Sequence, residues 1–69
     1  MLARCRFDKL DLRLLELERD GFTADEAGTL LGLTTSQING RFRRINEKFE
    51  VQHKKYAVQR ALELGILRS

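Results

Sequence analysis

Residues 23–49 read TADEAGTLLGLTTSQINGRFRRINEKF, and the fold is decided by how this stretch is parsed. Thr23-Ala24-Asp25-Glu26 has the form of a capping box, in which the Thr hydroxyl and the Glu carboxylate each satisfy an orphan amide of a helix start. Asp25 and Glu26 also suit the positive end of the helix dipole. The helix closes after Leu31 at Gly32, about two turns later. Thr34-Thr35-Ser36-Gln37 then repeats the capping-box pattern. Ile38, Phe42, Ile45 and Phe49 follow at i, i+4, i+7 and i+11, one apolar stripe of a third helix. Two capped helix starts separated by a glycine-containing turn predict a helix-turn-helix.

The flanks extend the same grammar. A first helix is expected from Lys9 to Arg19, with Asp8 as its cap and Gly21 beyond its end. Leu10, Leu14 and Leu17 share one face of it, with Leu12 and Leu15 beside them. A fourth helix is expected from about His53 to Leu64, ended by Gly65, with Ile66 packing back on the last turn. It carries two stripes: Val58 with Leu62, and Ala57, Ala61 and Leu64. One stripe serves the chain's own core; the small-residue stripe is expected to be open to a partner. The prediction is an all-α four-helix bundle spanning residues 8–67. Residues 1–7 are expected to be a flexible N-terminus.

A chain of 69 residues is one domain with a small core and no room for an enclosed catalytic cleft. Proline is absent, β-branched residues are sparse, and Leu, Arg and Glu favour helix. Cys5 is the single cysteine, so neither an internal disulfide nor a zinc site is expected, and the thiol is read as inert. No apolar run approaches the ~18 residues of a membrane span. Met1 to Arg6 is too short and too charged for a signal peptide. The expected setting is soluble and cytoplasmic. His53 is a lone histidine, better suited to solvent or phosphate than to a metal. Phe22 and Tyr56 are read as packing residues, the Tyr hydroxyl lying near a basic region. Capping accounts for the adjacent Asp25 and Glu26. With no nucleophile–base set, phosphate-cradling loop or metal spacing, no enzyme activity, cofactor, metal or small-molecule ligand is expected.

Charge is unevenly distributed. The net charge is +3, but residues 1–40 carry −2 and residues 41–60 carry +5. The basic segment contains Arg41, Arg43, Arg44, Lys48, Lys54, Lys55 and Arg60. A basic half on a small protein suits a polyanionic partner.

Successive helical residues turn by about 100°. With the Ile38–Phe49 stripe inward, Ser36, Gly40, Arg43 and Glu47 point outward, flanked by Gln37 and Arg44 on one side and Asn39 on the other. Arg pairs bidentately with guanine, and Asn or Gln with adenine. Gly40 costs about 1 kcal/mol of helix stability relative to Ala, and its bare backbone allows close approach to a base edge or phosphate.

On these residues the stretch Phe7–Leu67 resembles the LuxR/GerE-type helix-turn-helix domain, aligned without gaps. The resemblance is carried by Leu14-Leu15, Asp20-Gly21-Phe22-Thr23, Glu26-Ala27, Leu31-Gly32-Leu33-Thr34, Gln37-Ile38, Ile45-Asn46-Glu47-Lys48-Phe49 with Val51, Ala57-Val58 and Ala61-Leu62-Glu63-Leu64-Gly65-Ile66-Leu67. It implies that the third helix enters the major groove and that the fourth is a C-terminal dimerisation helix, acting on a two-fold symmetric site. Base reading would fall on Asn39, Gly40 and Arg43. Phosphate contacts would fall on Thr23, Thr35, Ser36, Arg41, Arg44 and Lys54, and the dimer interface on Ala57, Ala61 and Leu64. Family members usually have Lys at the position of Asn39 and often His at that of Arg41.

The expected function is therefore a bacterial transcription regulator that binds double-stranded DNA as a homodimer. Two alternatives stand beside it. One is a protein–protein module that pairs with a larger LuxR-type regulator and antagonises it, motivated by Asn39 and Gly40 in place of stronger base readers. The other is a sigma-region-4-like domain that contacts promoter DNA as part of RNA polymerase.

Overall fold

The computed structural model describes residues 7–68. Cys5 and the basic residues around it lie outside the described part. Among the described residues four helices follow one another: α1 (Lys9–Arg19), α2 (Ala24–Leu31), α3 (Thr35–Phe49) and α4 (Lys54–Glu63). No strand occurs among the described residues.

The helix starts follow from local chemistry. Asp8 Oδ1 accepts from the Asp11 amide at 2.9 Å. Thr23 and Glu26 exchange both capping-box bonds, as do Thr34 and Gln37, at 2.8–3.1 Å. Only α4 begins without a side-chain cap, at His53. The ends follow one rule as well. Each helix is followed by a left-handed residue, after which an amide turns back to a carbonyl five residues earlier. At Gly21 the bond is Phe22 N–H to Leu17 O, and at Gly32 it is Leu33 N–H to Gly28 O. At Gly65 it is Ile66 N–H to Ala61 O. The fourth case is Glu50, at φ 58°, where Val51 N–H reaches Asn46 O. A side chain in this conformation costs about 1–2 kcal/mol.

α1 packs on α3 and α4, α2 packs on α3, and α3 packs on α4. Leu14, Leu15, Ile38 and Ile45 are the largest wholly enclosed side chains. Ile38, Phe42 and Ile45 face inward as the stripe requires. Phe49, half-buried, stacks on Phe7 with ring centroids 4.9 Å apart. This corrects one boundary: Phe7, expected in the flexible segment, is only 8% exposed and belongs to the core. The radius of gyration is 11.0 Å, as for about 69 residues packed around one core.

α4 corrects a second expectation. Ala57 and Ala61 are 0% exposed and buried with Val58 inside the chain's own core. The helix touches both α1 and α3, so it buries a wider arc than one stripe. Of the three residues expected to meet a partner, Leu64 alone is outward, at 51% exposure.

Candidate nucleic-acid interface

The turn between α2 and α3 is three residues long, Gly32 to Thr34. A close backbone approach shapes it. A Cβ on Gly28 would meet the Leu33 carbonyl oxygen at 2.5 Å, so only glycine lets the end of α2 approach this turn so closely. Thr35 Oγ1 donates to Asp25 Oδ1 at 2.6 Å, tying the start of α3 to the first turn of α2. Thr23 is occupied as the α2 cap, while Ser36 is exposed on the first turn of α3.

Asn39, Gly40, Arg43 and Arg44 are all exposed on α3. Among the described residues neither Arg43 nor Arg44 pairs with a carboxylate, which leaves both guanidinium groups to solvent or a ligand. A Cβ on Gly40 would meet nothing within 4 Å. The fold itself therefore does not call for glycine there, although a mid-helix glycine is unfavourable. The first turn of α3 has no acidic residue of its own. An acid of α2, Asp25, reaches this positive dipole end through Thr35.

Two cations expected at phosphates have partners within the chain. Arg41 turns toward α1, with Nη1 3.2 Å from Asp8 Oδ2 and 3.4 Å from Asp11 Oδ1. Asp11 is 4% exposed and also receives Lys48 Nζ at 3.6 Å from its Oδ2. Its buried role was not legible, because its partners lie 30 and 37 residues away. Arg41, expected at a phosphate, is placed here as an internal tie between α3 and α1. Lys54 is half-buried, 3.5 Å from Glu18 Oε1 and 5.5 Å from the centre of the Phe42 ring. The Asp8 carboxyl is held below its ordinary range, chiefly by the Asp11 amide and then by Arg41.

A groove of about 410 Å³ runs beside the exposed face, between α3 and the start of α4. It is lined by Asn39, Arg43, Asn46, Gln52, His53 and Lys54, with Phe42 and Val51 as apolar members and Glu47 as the one acid. Thus Asn39, Arg43 and Lys54, chosen separately from the sequence, share one concavity. Asn46 and Gln52 join them and were not among the expected site residues. His53 opens α4, its ring 5.9 Å from that of Tyr56. No group of three His, Cys, Asp or Glu among the described residues could hold a metal ion. No helix among them is long and apolar enough to cross a membrane.

Comparisons of the chain with protein-family models, with curated proteins and with solved structures give no match.

Proposed function

We propose that the chain is a sequence-specific binder of double-stranded DNA that regulates transcription, with α2 and α3 forming a helix-turn-helix of the LuxR/GerE type and α3 entering the major groove. One observation carries the reading: the outward face of α3 presents Asn39, Gly40, Arg43 and Arg44 together, with both guanidinium groups unpaired among the described residues and a glycine that the fold does not require. Arg43 suits guanine and Asn39 suits adenine. Arg44, Ser36 and Lys54 flank them as phosphate contacts, Lys54 by exchanging its Glu18 partner for a phosphate.

In this reading the protein acts as a homodimer through α4. The contact rests on Leu64 and Tyr56, since Ala57 and Ala61 are enclosed. That enclosure also favours a second reading, in which a single copy contacts promoter DNA in the manner of a sigma region. Selection of bound sequences from a random duplex pool tests the proposal. A symmetric, two-part motif supports the homodimer, and an undivided motif with a monomer in sedimentation supports the single-copy reading. Failure to enrich any sequence refutes DNA recognition.

A further inference from the structure

Asn46 lines the groove between α3 and the start of α4. Its Oδ1 atom is buried, and among the described residues no group donates a hydrogen bond to it. A covered acceptor without a donor is unfavourable, so such atoms usually have partners. Yet Asn46 is only half-buried, and it lines the same groove as Asn39 and Arg43. At 100° per residue, positions 39, 43 and 46 fall within an arc of about 60° on α3. Because Oδ1 has no internal hydrogen bond, turning the amide toward the groove breaks none at that atom.

We infer that Asn46 is a further base-reading residue of this face and that its ligand is adenine; the inference rests on the DNA-binding reading. The amide offers one acceptor and a donor pair. In the major groove adenine alone presents the complementary set, the N6 amine as donor beside N7 as acceptor. Guanine offers two acceptors there, cytosine only an amine, and thymine an acceptor beside a methyl group. The rise along α3 from position 43 to 46 is about 4.5 Å, comparable with the ~3.4 Å between successive bases of one strand. An adenine read by Asn46 therefore lies one step from the guanine read by Arg43.

The full chain and its Asn46→Ala and Asn46→Asp variants are each used to select from a random duplex pool, with folding checked by circular dichroism. The wild type enriches a guanine with a neighbouring adenine. Asn46→Ala keeps the guanine and loses roughly tenfold or more of the adenine preference. Asn46→Asp, whose carboxylate only accepts, moves that position toward cytosine. A measurement on the wild type alone makes the test independent of any variant's folding. Replacing that adenine by purine, which lacks the N6 amine, weakens binding roughly tenfold. An unchanged adenine preference in Asn46→Ala, or equal affinity for the purine-substituted duplex, overturns the role of Asn46 and leaves DNA recognition standing. No enrichment by the wild type overturns both.

Discussion

Arg41 and Asp11 join the middle of α3 to the first turn of α1, with Nη1 of the one 3.4 Å from Oδ1 of the other. The carboxylate is nearly enclosed, whereas Arg41 and Lys48 keep about a third of their side-chain surface in water. Asp11→Asn preserves shape and removes the charge that both cations face. The fold is expected to lose about 1–2 kcal/mol, less than for a wholly buried pair. In a domain this small that lowers the Tm by roughly 5–15 °C, read by circular dichroism. An unchanged melt contradicts the tie.

Arg41 and Arg43 stand two residues apart and should separate stability from recognition. Arg41→Ala lowers the Tm because α1 loses its partner. Arg43→Ala leaves the Tm within a few degrees and costs about 1–3 kcal/mol of DNA affinity at one base position. Mobility shift at fixed salt, run beside thermal melting, tests the pair. Equal effects in both assays argue against the assignment.

The depressed Asp8 carboxyl gives a pH dependence of known sign. A carboxyl lowered on folding stabilises fully above its unfolded value, near pH 4, and the contribution disappears as pH falls through the lower folded value. Asp8→Asn keeps a competent cap but does not titrate. The wild type is therefore expected to lead Asp8→Asn at neutral pH, and the gap to close in acid. Urea denaturation across that range measures it; a gap that widens in acid contradicts the argument.

Gly28 and Gly40 should answer alanine with opposite signs. At Gly28 a Cβ meets a backbone oxygen at 2.5 Å, and α2 must move away from the turn. Overpacking of this kind costs about 1–3 kcal/mol, which exceeds the helix-propensity gain. At Gly40 there is open space, so Ala is expected to stabilise by up to about 1 kcal/mol. It should at the same time weaken DNA binding by blocking close approach. A Gly40→Ala protein that binds DNA as well as wild type removes the functional explanation of that glycine.

Glu50 holds a left-handed conformation that glycine adopts without the steric cost. Glu50→Gly is expected to raise stability by about 1 kcal/mol, the steric relief exceeding the added chain entropy. The Tm then rises by roughly 4–8 °C. A lower Tm would show that the Glu side chain stabilises this turn.

The starts of α1, α2 and α3 were legible because each is written within four residues, from the capping side chain to the amide it binds. Three of the four ends were legible for the same reason. The end at Glu50 was not, because the reading used glycine as its marker and the backbone accepts the conformation elsewhere. Periodicity gave the stripe of α3 but not the buried arc of α4, since two stripes look alike until two neighbouring helices claim both. Asp11 and Arg41 read as polar surface because nothing local reveals a partner 30 residues away. The exposed Asn39, Gly40 and Arg43 were legible through the stripe opposite them. The groove needed the start of α4 beside α3, which only the tertiary arrangement supplies.

The left-handed closure behind every helix has a kinetic consequence. Each segment meets its stop signal within its own sequence, so the ends of α1 to α4 are set locally, while helices of 8–15 residues draw most of their stability from docking. Helix formation and docking are then coupled through tight connections, and helical bundles of this kind fold in roughly the microsecond-to-millisecond range.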